Sequence, residues 1–282
     1  MWRIVLLATV CMMLFPLTLT AGDWQLVWSD EFNEPGLPSP ERWGSEEGFV
    51  RNNELQCYTR ARRENARVEN GQLILETRKE RYKNPHFDPA ASGGSRRRTQ
   101  EYADYTSASL ITRNIASWQY GRVEVSAKLP TGKGFWPAIW MLGMDREKVG
   151  WPACGEIDIM ENVGFDPDTI HGTVHTAKYN HTKNTQRGGK ITIKRPFDGF
   201  HVYSVEWSAD LVQFFVDGQR YFEFKNEKTG KDAWPFDQPM YLILNVAFGG
   251  GWGGQQGVDD SNMPQSMQID YVRVYQQAGS SR

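Results

Sequence analysis

The stretch Gly155-Glu156-Ile157-Asp158-Ile159-Met160-Glu161-Asn162 holds three carboxylates set among apolar residues, with a two-residue step followed by a three-residue step. On a β-strand, side chains two apart share a face. Glu156 and Asp158 therefore point one way, and Ile157 and Ile159 point the other. Unbroken alternation would bring Met160 to the acid face and send Glu161 into apolar packing. Burying an unpaired carboxylate there costs on the order of several kcal/mol. A β-bulge near Ile159-Met160 removes the conflict, because one extra residue returns Glu161 to the side of the other two acids. The broken step thus predicts a bulged strand with three acids in one row.

Three acids in a row repel one another unless they bind a cation or carry out acid–base work. A solvated edge face is a poor fit, since Ile, Ile and Met alternate with the acids and tryptophans lie just upstream. A calcium site would more often recruit loop carbonyls and Asn. Two carboxylates flanking a sugar bond fit better, one attacking the anomeric carbon and the other protonating the leaving oxygen. Asp158, between them, can hydrogen-bond Glu156 and hold the neighbouring pKa values apart. Residues four apart on a flat strand have Cα atoms about 13 Å apart at roughly 3.3 Å per residue, whereas retaining hydrolysis needs carboxyl groups about 5–5.5 Å apart. The strand must therefore curve, and long Glu side chains must close the rest of the gap.

The surrounding sequence has strand character nearly throughout. Val68 to Thr77 reads as a hairpin turning at Asn70-Gly71, and Leu211 to Phe224 as another turning at Asp217-Gly218. Arg122 to Leu129, Val202 to Trp207 and Ile269 to Tyr275 alternate polar and apolar residues, as half-buried strands do. Met240 to Ala247 is more continuously apolar, as a central strand would be. Glu80 to Tyr105, with its run Arg96-Arg97-Arg98, reads as a long loop with the arginines in solvent, and Gln186 to Pro196 as a second loop. Short strands punctuated by Gly, Pro and Asn turns argue an all-β sandwich or jelly roll.

Composition narrows the class. A formal net charge of −2 offers no field for nucleic acid or an anionic membrane. The 11 Trp, 11 Tyr and 14 Phe exceed what a core needs and suggest stacking platforms. Residues 1–22 have the layout of a secretory signal peptide: Arg3, then an apolar run from Ile4 to Leu19 too short to span a bilayer, then small residues. A single catalytic unit is expected over 23–282. Cys57 and Cys154 either bridge, as an exported protein permits, or remain two buried thiols. His171 and His175 lack a third ligand in sequence, which argues against a metal there.

Trp151 to Glu161, W-P-A-C-G-E-I-D-I-M-E, resembles the active-site strand of glycoside hydrolase family 16 in its laminarinase-like branch. Leu26 to Phe32, Asn52 to Thr59, Gly134 to Leu142, His171 to Thr176, Leu244 to Gly250 and Ile269 to Tyr275 resemble further segments of that family, in its order. The resemblance spans Trp24 to Gln276. It implies a curved jelly-roll sandwich of two antiparallel sheets with a concave substrate cleft. It also implies Glu156 as nucleophile, Asp158 as its helper and Glu161 as acid/base. The longer acid spacing points away from the lichenase and xyloglucan branch.

Within that frame Trp136, Trp140 and Trp151 are candidate sugar platforms, and Trp252 borders the cleft on a glycine-rich loop. Asn53, His175 and Asn245 are candidate partners of sugar hydroxyls. Relatives often hold a structural calcium, for which Asp270 and the carbonyls of Glu31 and Gly71 are the matching positions. No cofactor is expected for catalysis. Ser109 stands where many members carry Arg, which touches substrate preference. The expectation is a secreted or periplasmic monomeric endo-β-1,3- or mixed β-1,3/1,4-glucanase. The alternatives are a galactan hydrolase acting on agar or carrageenan, and a non-catalytic glucan-binding protein.

Overall fold

The computed structural model describes residues 24–278; the signal peptide expected over residues 1–22 lies outside them. The described chain folds into two packed sheets. The first has seven strands, in the order Arg187–Thr192, Asp166–His175, Glu156–Val163, Phe135–Gly143, Met240–Phe248, Ser109–Ile111 and Gly44–Ser45. The second runs Gln219–Lys225, Leu211–Val216, His201–Trp207, Gly121–Lys128, Gln265–Gln277, Gln72–Lys83, Tyr102–Ser107 and Gln56–Tyr58. Trp24–Asp30 pairs with Gln265–Gln277, and Ala66–Glu69 with Gln72–Lys83, to complete ten strands. Pairing is antiparallel except between Gln56–Tyr58 and Tyr102–Ser107, which run parallel.

Each strand follows from its residues. Asn70 (φ 54°) and Gly71 (φ 75°) both take the left-handed conformation, as do Asp217 (φ 50°) and Gly218 (φ 77°). These are the two-residue turns whose twist matches paired strands, so both expected hairpins form. Met240–Phe248 is buried at every position. Leu242, Leu244 and Val246 enter the main core between the sheets, and Tyr241 and Ile243 pack in a second cluster with Trp140 and Leu142. Burial on both faces explains its unbroken apolar character.

The acid strand Glu156–Val163 lies third from one edge of the seven-stranded sheet. Against Asp166–His175 its register runs Asp158↔Thr173 and then Glu161↔His171, three residues on one strand opposing two on the other. Against Phe135–Gly143 it runs Asp158↔Trp140 and then Met160↔Ile139. The bulge therefore falls at Ile159-Met160. Ile157, Ile159 and Met160 are all wholly buried in the main core. Two successive side chains enter the same layer, and Glu161 returns to the face of Glu156 and Asp158.

Two expected loops are partly strands. Gln72–Lys83 continues through Glu80, Arg81 and Tyr82, and Tyr102–Ser107 pairs back onto it. This charged segment is held by its side chains: Arg62 forms paired hydrogen bonds with Glu80, at 2.6 and 2.8 Å, and Arg81 lies 3.6 Å from the centre of the Tyr102 ring. The connection is thus 84–101, with a single helical turn at Arg96–Thr99. Arg187–Thr192, in the second expected loop, is an edge strand on Asp166–His175. Its glycines serve close packing, since a Cβ on Gly189 would sit 2.6 Å from Cβ of Phe222 in the other sheet.

Deleting Met160 restores strict alternation while keeping Glu161 on the acid face. The variant is expected to fold with a lower Tm, because a buried side chain worth roughly 2–5 kcal/mol is lost, and to retain reduced, measurable activity. Deleting Ile159 and Met160 together turns Glu161 into the core and should abolish activity. Thermal denaturation with paired assays tests this; an unfolded single deletion beside an active double deletion would refute the bulge account.

Candidate active site

The outer face of the seven-stranded sheet carries a cleft of about 900 Å³ lined by Glu156, Asp158 and Glu161, with Trp136, Trp140, Trp151, His171, His175, Asn245 and Trp252 around them. The strand pairings explain the assembly. Glu156 lies opposite His175, Glu161 opposite His171, and Asp158 opposite Trp140.

Each terminal acid has an indole donor. Trp151 Nε1 donates to Glu156 Oε2 at 2.9 Å, and Trp136 Nε1 donates to Glu161 Oε1 at 3.0 Å. His175 Nε2 stands 3.3 Å from Asp158 Oδ2 and 3.7 Å from Glu156 Oε1. Burial pushes the Glu156 carboxyl up to about 8; the Asp158 charge adds to this, while the neighbouring His175 and the Trp151 N–H oppose it. Burial and the Glu161 charge hold Asp158 well above its ordinary value. Glu161 rises to about 7, again chiefly by burial, with the neighbouring His175 opposing. The three titrate as one set. Burial raises both outer carboxyls above their ordinary value. Double displacement calls for Glu156 ionised and Glu161 protonated.

Several expected sugar contacts have other partners. Trp140 is only 8 % exposed, its Nε1 donates to Asn245 Oδ1 at 2.7 Å, and the Arg51 guanidinium lies 4.9 Å from its ring centre. Its plane is not a free platform. Asn245 also donates to Tyr58 Oη at 3.0 Å, and Tyr58 donates to Glu54 Oε2 at 3.2 Å. Asn245, which lines the cleft, is thus also a link in a buried chain that fixes Trp140. His175 is buried against Glu156 and Asp158 and lines the cleft. Trp136, Trp151 and Trp252 are half-buried and keep accessible surface. Trp252 meets Trp136 and His171 edge-on at 5.5 and 5.0 Å. Asn53 is exposed and lines the cleft.

Residues outside the first reading complete the site. Arg51 pairs with Glu46 and borders the cleft, and His181 stacks at 4.9 Å on Trp151. Arg51 immediately precedes the Asn52-Asn53-Glu54 segment, which was the available signal. Of the arginine run expected in solvent, Arg98 is exposed and pairs with Asp88, while Arg96 and Arg97 form a clamp. Arg96 Nη1 donates to the Glu54 carbonyl at 2.9 Å and the Asn53 carbonyl at 3.3 Å, and its guanidinium covers Phe49. Arg97 donates to the Glu47 carbonyl. These bonds hold Asn52 and Asn53, both with positive φ, where asparagine is tolerated but strained.

Glu31, Gly71 and Asp270 gather at the end of the ten-stranded sheet. Ile269 pairs with Leu73, just after the Asn70-Gly71 turn, and Val272 pairs with Asp30. Gln265–Gln277 shifts register between Ile269 and Tyr271, leaving Asp270 exposed and without a hydrogen-bond or ion-pair partner among the described residues. The Glu31 carboxylate is engaged by Arg273 at 2.9 and 2.7 Å, so only its carbonyl is available to an ion. Cys57 and Cys154 are both free and buried.

This geometry is that of a carbohydrate-cleaving enzyme, with paired carboxylates on one bulged strand in an aromatic cleft. The sequence profile of Glycosyl hydrolases family 16 matches residues 53–273, and the chain belongs to that family. It is 52 % identical to the beta-glucanase of Rhodothermus marinus, over 90 % of this chain and 86 % of that protein. The X-ray structure of the laminarinase from Rhodothermus marinus superposes with a TM-score of 0.81 at 50 % identity, covering 90 % of this chain and 98 % of that one. A non-specific endo-beta-1,3(4)-glucanase of family GH16, co-crystallised with 1,3-beta-D-cellotriosyl-glucose, gives 0.81 at 50 % identity over 90 % of this chain and 95 % of that one.

Two predictions follow from these contacts. Arg96→Ala should raise KM on laminarin about fivefold, near 1 kcal/mol, with kcat kept and partial rescue by Arg96→Lys; an unchanged KM would show that the rim stands without the clamp. The raised carboxyls also fix a stability trend. A group whose folded pKa exceeds its unfolded value stabilises fully at low pH and loses that contribution as pH rises through the folded pKa. Wild-type stability should therefore fall between about pH 4.5 and 8, and Glu161→Gln should flatten that fall, widening its Tm advantage at pH 8. Parallel Tm–pH curves for the two proteins would contradict the shift at Glu161.

Proposed function

We propose that the protein is an endo-acting, retaining β-glucanase that hydrolyses β-1,3- or mixed β-1,3/1,4-glucan. The observation that carries this reading is the row Glu156–Asp158–Glu161 on one wall of an aromatic cleft, each outer acid fixed by an indole N–H. In the first step a Glu156 oxygen attacks the anomeric carbon while Glu161 gives its proton to the departing glycosidic oxygen. The glycosyl group is then esterified to Glu156, and the shortened glucan leaves as an alcohol. In the second step Glu161 takes a proton from water, whose oxygen displaces Glu156 and restores the β configuration. Trp151 and His175 favour ionised Glu156, and Asp158 keeps a hydrogen bond to it. Half-buried Trp136, Trp151 and Trp252 offer surfaces for sugar C–H faces. None of these steps calls on a cofactor.

The apolar leader at residues 4–19 supports export to the cell exterior or periplasm, and the protein is read as acting there as a monomer on polysaccharide. No helix among the described residues is long and apolar enough to cross a membrane. The open carboxylate of Asp270, with the Glu31 and Gly71 carbonyls nearby, suits a hard cation that takes oxygen donors, and supports a structural calcium at this end of the sheet.

The anomer released first reports the mechanism. Early proton NMR of laminarin digests should show the β-anomer, and Glu156→Gln should lose turnover while still binding glucan. An initial α-anomer, or near-normal turnover in Glu156→Gln, would overturn the assignment. Reducing-end release should be strong on laminarin and lichenan and absent on agarose and carrageenan. For the calcium site, added Ca²⁺ should raise Tm in the wild type and leave Asp270→Ala unchanged; equal shifts in both proteins would place the ion elsewhere.

A further inference from the structure

The contact between His175 and the acid row has a use beyond orienting carboxylates. We infer that Glu156, Asp158 and His175 form a binding site for a first-row transition-metal dication such as Zn²⁺ or Cu²⁺, and that the ion inhibits the enzyme reversibly by capturing the nucleophile. One ligand atom from each of the three residues falls in a group whose members all lie within 4.8 Å of one another. His175 Nε2 is 3.3 Å from Asp158 Oδ2 and 3.7 Å from Glu156 Oε1. Donors about 2.0–2.2 Å from a tetrahedral zinc ion stand roughly 3.3–3.6 Å apart, so the two imidazole–carboxylate edges already have nearly the required length.

The scaffold supports the same reading. Glu156 and His175 are register partners on adjacent antiparallel strands, and Asp158 follows two residues along. The three donors are therefore fixed by the sheet and need no loop to close. Asp158 is 3 % exposed, and its Oδ2, the oxygen facing His175, has no hydrogen-bond partner. A dication supplies the missing partner and relieves the repulsion between two buried carboxylates. The fourth position faces the cleft, which leaves room for water, as in accessible zinc sites.

The donor set selects the metal. One imidazole with two carboxylates suits Zn²⁺ and Cu²⁺, while Ca²⁺ and Mg²⁺ take oxygen donors. Metal-binding histidines usually donate their second N–H to an outer partner. Here His175 Nδ1 is buried without one. That lack limits affinity and makes the ion a reversible inhibitor, not a resident cofactor. Glu161 is not in the set, so metal binding and proton donation to the leaving group are separable.

Calorimetric titration of the full chain with ZnCl₂ tests the site independently of the substrate's identity. The expected result is one ion per chain, retained in catalytically inactive Glu161→Gln. In His175→Ala binding should weaken by more than the roughly 10–100-fold that loss of an outer-shell partner costs. Should that variant not fold, Cu²⁺ bound to the wild type must still show nitrogen superhyperfine coupling in its EPR spectrum from a single imidazole. Laminarin oligosaccharides in the cleft of Glu161→Gln should compete with the ion. Absence of zinc binding at millimolar metal, undiminished binding in folded His175→Ala, or a copper spectrum without nitrogen coupling would each overturn the proposal.

Discussion

The conflict between a carboxylate and an apolar core governs this structure. A strand that alternates without interruption can present three acids only at even spacing, and this chain spaces the last one oddly. The bulge at Ile159-Met160 resolves the conflict by sending two consecutive side chains into the same buried layer. Everything at the site inherits its position from that local insertion. It sets Glu161 opposite His171 and beside Trp136, whose indole then reaches the carboxylate. Burying the row raises its affinity for protons, and that supplies an acid able to donate near neutral pH.

The bulge, the hairpins at Asn70-Gly71 and Asp217-Gly218, and the doubly buried strand at Met240 were legible in the sequence because each rests on local rules. Alternation, left-handed turn residues and unbroken apolar runs have direct backbone consequences. The edge strand Arg187–Thr192 of the seven-stranded sheet was not legible, since glycines there suggest a loop until the close passage of Phe222 is known. The extension of Gln72–Lys83 was hidden for a related reason. Charged residues there are stabilised by partners distant in sequence, Arg62 among them.

The same contrast holds within the cleft. The three acids were readable because their chemistry and spacing are both in one segment. Trp140, His175 and Asn245, read as sugar contacts, all line the cleft, and Trp140 and Asn245 also bond to each other. Glu54, Tyr58, Asn245 and Trp140 form a hydrogen-bonded chain drawn from three separate segments, and no single-strand pattern can reveal such a chain. The rim depends likewise on distant parts. Arg96 reaches across from the 84–101 connection to the carbonyls at Asn53 and Glu54. A run of like charges that reads as solvated thus becomes the support of a substrate wall.

Of the three cysteines, Cys57 and Cys154 lie among the described residues. Cys57 packs with Phe49 and Ala103, and Cys154 with Trp140, Leu142 and Tyr241, in separate apolar clusters. Burial pushes the Cys57 thiol up to about 11 and the Cys154 thiol up to about 12, so neither is a ready thiolate. Between them they form no crosslink. The described fold therefore forms without pairing Cys57 to Cys154, and it holds no sulfur bridge between them for a reductant to break.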